Sequence, residues 1–137
     1  MNPYGYKPWV EAALDMNEDG IIYYSGPKSF KRVFKKLEKN TDLDFKRTRK
    51  ESKAEIVCTY EELYSSGVCK KLDKFYVSVD PDYKKYNSTF YAEAHEIGHA
   101  LGLGHDPGYR SAMQTNWNEP PRFYSFDDYL AINNLFL

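Results

Sequence analysis

Histidine is absent from all but one stretch of this chain: three occur in 137 residues, and all three lie between positions 95 and 105. Histidines scattered through a core are thereby excluded, which leaves one local site that needs imidazole. Long apolar runs are missing too. No segment approaches the roughly 18 apolar residues a membrane span requires, and MNPYGYKPWV at the N-terminus has neither the basic nor the apolar region of a secretory signal. Charge of one sign is not in surplus, since 19 Lys and Arg face 20 Asp and Glu. No global field recruits nucleic acid or an anionic membrane, and neither is expected as a partner. Cysteine is limited to Cys58 and Cys69, compatible with one disulfide in an oxidising compartment or with two buried thiols. Repeats, low-complexity tracts and Pro/Ser-rich linkers do not occur. One domain spanning 1–137 is expected, as a monomer, with a core large enough not to depend on a metal.

What is present reads as an α+β fold. GIIYYS (20–25), LDFKRT (43–48), AEIVCTY (54–60) and KFYVSVD (74–80) have the composition of strands, the last closed by Pro81. Alternation in AEIVCTY puts Ile56, Cys58 and Tyr60 on one side and Cys58 in the core. In KSFKRVFKKLEKN, Phe30, Val33, Phe34 and Leu37 recur at helical spacing, while Lys31, Arg32, Lys35, Lys36 and Lys39 fall elsewhere. Eleven of the 19 basic residues lie between Lys28 and Lys53. Without interleaved aromatics or a nucleic-acid motif they read as a solvated helix face and its adjoining turn, not as a polyanion site. Asn87 or Ser88 can cap a second helix with Phe90, Ala94, Ile97 and Leu101 on its core stripe, and Ser125 can cap a third, SFDDYLAINNLF. DMNEDG (15–20) matches the first half of a calcium loop, but the twelfth position is Gly26 where an acid should stand. A polar turn fits it better, and structural Ca2+ has only that weak support. The sequon Asn87-Ser88-Thr89 is too short a pattern to establish glycosylation.

The chemistry concentrates in HEIGHALGLGHD (95–106). Residues four apart share a helix face, so His95 and His99 can present two imidazoles to one ion, with Glu96 at the edge of that face. Gly102 can end the helix in the left-handed conformation and turn the chain back, bringing His105 as a third ligand. Three neutral imidazoles plus a water make a four-coordinate zinc with one exchangeable position, whereas a structural zinc would be closed by a fourth protein ligand. Glu96 is placed as general base to that water. The other common third ligand, a glutamate from a later helix, would have to be Glu119, and Pro120 and Pro121 argue against a helix there.

HEIGHALGLGHD resembles the zinc-binding signature of the metzincin peptidases, HExxHxxGxxH followed by a residue that varies by subfamily. SAMQ, with Met113 eight residues after His105, resembles their methionine turn. AEIVCTY and FDDYLAINNLF further resemble a strand and the C-terminal helix of the matrixin (matrix metalloprotease-like) branch, so the likeness spans most of 20–137 and is strongest over 90–113. It implies a zincin-type α+β domain: a mixed, twisted sheet of about five strands, an active-site helix, a second packing helix and a C-terminal helix. It implies a secreted zinc-dependent endopeptidase that binds a protein or peptide substrate extended along an edge strand. Glu96 would be the catalytic base, and Gly102, Asp106 and Met113 would support the site. Trp117 or Phe123, in the loop TNWNEPPRF, would wall the substrate pocket. Matrixins usually carry Ser where this chain has Asp106, the adamalysin choice. No Tyr closely follows Met113 to act as an astacin-like fifth ligand, and no latency segment with a blocking cysteine is present. The competing readings are a catalytically silent peptide-binding module and a zinc hydrolase of a non-peptide amide.

Overall fold

The computed structural model describes residues 20–84, 87–105, 111–114 and 123–136. Five strands form one mixed sheet: β1 (Ile21–Ser25), β2 (Asp44–Arg47), β3 (Ile56–Tyr60), β4 (Gly67–Lys71) and β5 (Phe75–Val79). Their order is β2-β1-β3-β5-β4, all parallel except β4, which runs antiparallel to β5. The helices are α1 (Lys31–Asn40), α2 (Phe90–Ala100) and α3 (Phe126–Leu135). This is the α+β arrangement expected above.

Burial follows the helical period closely. Phe30, Val33, Phe34 and Leu37 are buried while Lys31, Arg32, Lys35, Lys36 and Lys39 are exposed. In β3 the expected one-sided alternation is only partly right, because Val57 is buried along with Ile56 and Cys58. β3 is the middle strand of the sheet, and interior parallel strands are commonly covered on both faces.

The N-cap of α2 is Thr89, with no side-chain capping bond, so neither expected residue is the cap; Ser88, one residue earlier, accepts from the Phe90 N–H at 3.0 Å. Asn87, the other candidate, instead takes a left-handed φ of 60°. Ser125 caps α3 in a reciprocal box with Asp128, at 3.1 Å and 2.9 Å. One ion pair ties α1 to α2. Glu93, fully buried, accepts from Arg32 Nε and Nη2 at 3.2 and 3.1 Å, from Tyr60 Oη at 2.6 Å and from Thr89 Oγ1 at 2.7 Å. A buried carboxylate is tolerable only with such a full set of donors. The network therefore fixes where α2 sits on the sheet.

The two cysteines form no disulfide. Cys58 of β3 and Cys69 of β4 both pair with Val77 of β5, one from each side. An intervening strand separates them by two strand spacings, roughly 9–10 Å, beyond the reach of a disulfide. The thiol alternative is the one this fold adopts.

Candidate metal centre

α2 packs against β4 and β5 and carries the first two histidines. Their Nε2 atoms lie 3.2 Å apart and their ring centroids 4.7 Å. Each Nδ1 is occupied by a backbone carbonyl, His95 on Ala112 at 2.7 Å and His99 on Leu103 at 2.8 Å. A carbonyl only accepts, so both Nδ1 atoms carry the proton and both Nε2 atoms present lone pairs. Two facing lone pairs at that distance repel unless a cation lies between them. Two ligands about 2.0–2.1 Å from one zinc at a tetrahedral angle would stand roughly 3.3 Å apart, so the donor pair fits this metal.

His105 completes the cluster because α2 ends on a glycine. Gly102 has φ 102°, its N–H reaches His99 O, and Leu103 N–H reaches Gly98 O, both at 3.0 Å. These two bonds make a Schellman turn, which reverses the chain within three residues. The His105 ring then lies 5.1 Å from that of His95 and 5.0 Å from that of His99, and one nitrogen from each histidine falls within 4.8 Å of the others. Burial pushes the His95 pKa down to about 4, although its bond to Ala112 opposes the shift. A neutral imidazole is the form a metal requires.

Glu96 faces the same space, a cleft of about 400 Å3. Its side chain is 7% exposed, makes no hydrogen bond to a described residue, and burial raises its pKa to about 7. The carboxyl sits under the first residue of β4. A Cβ on Gly67 would lie 2.8 Å from Glu96 Cγ and 3.0 Å from Ser78 O, so only glycine leaves room for it. Gly67, Val68 and Cys69 line the cleft wall opposite the histidines.

Below the histidines, Met113 is fully buried against Gly98, where any Cβ would collide with its sulfur. Met113 N–H donates to Ser111 Oγ at 2.9 Å, and Ser111 Oγ donates to Asp128 Oδ2. Asp128 also accepts the Ser125 N–H, so the first turn of α3 anchors the turn whose Ala112 carbonyl orients His95.

The structure thus brings together His95, His99, His105, Glu96, Gly102 and Met113. Phe123 lies elsewhere. It is 4% exposed, stacks on Phe90 at 5.1 Å and does not line the cleft, so its placement is that of a core residue. Asp106 and Trp117 fall outside the described residues, as does most of the DMNEDG stretch. Sequence reading missed β4, Gly67, Gly98 and Asp128. GVCKK is short and carries two lysines, and its one signal is the tight turn Leu72-Asp73-Lys74 leading into β5.

Comparison with curated proteins returned no match. A protein-family model described as Matrixin matches residues 70–137, a span that begins within β4 and takes in α2, all three histidines, Met113 and α3. Among the described residues no helix is long and apolar enough to cross a membrane. Residues 70–137 thus match the matrixin family, and the five-stranded mixed sheet with its helices is consistent with a matrixin-like metzincin domain.

Proposed function

We propose that this protein is a zinc-dependent endopeptidase in which His95, His99 and His105 hold the metal and Glu96 is the general base. The observation that carries the reading is the pairing, in one cleft, of three converging imidazoles with a buried carboxyl that has no hydrogen-bond partner among the described residues. Zinc held there supplies a Lewis acid and lowers the pKa of a water toward neutrality. Glu96 takes the proton of the attacking water and returns it to the departing amine. A carboxyl whose pKa burial has moved to about 7 is suited to both transfers near neutral pH. Ala112 and Leu103 hold two of the imidazoles in the tautomer that leaves Nε2 free to bind metal.

The substrate in this reading is a peptide laid along β4. That strand has β5 on one side and no strand among the described residues on the other, so its outer backbone groups can pair with an extended chain largely regardless of sequence. Gly67, Val68 and Cys69 then face the scissile region across the cleft from the histidines. An extracellular setting belongs to this reading through the family. The unbridged cysteines lend it nothing.

Zinc analysis combined with digestion of a peptide library tests the proposal, with Glu96→Ala as reference. The expected result is about one zinc per chain in both proteins and cleavage only by the parent. A zinc-loaded parent that cleaves nothing the variant spares would reduce the protein to a peptide-binding module.

A further inference from the structure

The opposite edge of the sheet carries a cavity that the peptidase reading does not use. It lies between α1 and β2, has a volume of about 280 Å3, and shares no lining residue with the histidine cleft. Lys31, Lys35, Lys46 and Arg47 line it. Lys31 and Lys35 stand one helical turn apart, where like charges repel. Among the described residues none of the four forms an ion pair. The single acid in the lining, Glu38, is already engaged by the Phe45 N–H at 3.0 Å. Arg47 is braced by a bond from its Nε to Gly26 O at 3.0 Å, which fixes the guanidinium plane.

Aromatic rings complete the lining. The rings of Tyr24 and Phe34 stack with centroids 3.9 Å apart, and Phe45 lies 4.9 Å from Phe34. Contrary to the expectation of a basic run without aromatics, Phe34 and Phe45 fall within it, and folding adds Tyr24, so the three rings come from three different elements. Tyr24 is 3% exposed, and its hydroxyl has no hydrogen-bond partner among the described residues. Burial pushes its pKa up to about 12, so it remains a donor. Four cations with no ion pair among the described residues, an aromatic floor and a tyrosine hydroxyl with no partner among them are complementary to a ligand with a charged oxygen group at one end and a flat apolar body at the other. The volume of about 280 Å3 falls just below the roughly 300–1,000 Å3 typical of ligand pockets, which limits that body to about one ring.

We propose that this cavity is a second binding site, for an oxyanion carried on a single flat ring, as in an aryl phosphate or aryl sulfate. The ring lies against Phe34 and Phe45, while the oxyanion meets the lysines and receives the Tyr24 hydroxyl. Calorimetric titration of the intact chain with phenyl phosphate and with inorganic phosphate tests this. Phenyl phosphate is expected to bind saturably and about tenfold more tightly than inorganic phosphate, because only the former covers the aromatic floor. The double variant Lys35→Glu, Lys46→Glu alters exposed side chains and should weaken phenyl phosphate binding by about tenfold or more. Tyr24→Phe keeps the ring and should weaken it by about threefold to tenfold. A tyrosine-phosphorylated peptide that binds more tightly than phenyl phosphate would assign the natural group to a peptide side chain. Equal or weaker peptide binding would assign it to a free small molecule, and both results support the site. Absence of saturable binding, equal affinity for inorganic phosphate, or indifference to the charge reversals would overturn the proposal.

Discussion

At one edge of the sheet, β4 lies over three imidazoles and a buried carboxyl; at the other, β2 lies beside a cation-rimmed cavity floored by aromatic rings. Both edges combine an outer strand with a helix packed nearby, α2 in the first case and α1 in the second. The contrast is in how each is assembled. The three histidines and Glu96 come from eleven consecutive residues, so local helix geometry and one glycine turn suffice to gather them. The basic cavity draws on β1, α1 and β2, and exists only once the sheet has formed. A locally encoded site is robust to changes in the sheet, whereas a cavity assembled from three elements depends on their relative placement.

Breaking the first edge should produce the largest change. Glu96→Ala is expected to lower kcat/KM for peptide cleavage by roughly 10²–10⁴, with zinc content unchanged by metal analysis. Loss of zinc from this variant would instead give Glu96 a role in holding the metal. Asp128→Ala removes the anchor between α3 and the turn that orients His95. A chelator competition assay should then show zinc affinity reduced about tenfold, the scale of lost orienting contacts around a metal ligand. Unchanged affinity would separate α3 from the metal site.

A finer test asks whether β4 shapes the cleft or only borders it. Gly67→Ala should cost about 1–3 kcal/mol by denaturant melting, the scale of overpacking, because its Cβ meets Glu96 Cγ. In a Glu96→Ala background that atom is gone, so part of the cost should vanish. Strict additivity in this double-mutant cycle would mean that Gly67 makes room for Ser78 O alone. The smallest effect belongs to the far edge. Lys35→Glu with Lys46→Glu should leave peptide cleavage within about twofold, since exposed charges remote from the cleft are largely screened at physiological salt. A larger change would show the two edges to be coupled.

The same contrast explains what could be read in advance. α1 was legible because four apolar residues recur at helical spacing, and the metal cluster because its ligands are close in sequence. β4 was not, since five residues with two lysines carry little strand signal and their role comes from pairing with β5. Gly67 and Gly98 looked like ordinary glycines, because what forbids a side chain there is Glu96 in one case and Met113 in the other. Asp128 could be foreseen as part of a helix cap, but its second bond to Ser111 is tertiary. The disulfide question was settled by a single register fact, the insertion of Val77 between Cys58 and Cys69. Phe123 stacks on Phe90 from a distance of 33 positions in the chain, and no local pattern announces that contact.

The Schellman turn at Gly102 has a consequence for the protein without its metal. Because the chain reverses immediately after His99, an ion bound by the three imidazoles cross-links a helix end to itself and closes a loop of only a few residues. Closing so short a loop removes little entropy from the unfolded chain. The hydrophobic core, in contrast, joins β1, β3, β5 and the three helices, with Phe45 of β2 and Cys69 of β4 packed against it. Chelation should therefore silence the cleft while leaving the far-UV spectrum and the cooperativity of unfolding largely intact, and activity should return when zinc is restored. Under the proposed function the ion would be an exchangeable reagent of the cleft, and its supply would switch the chemistry on and off without refolding the protein.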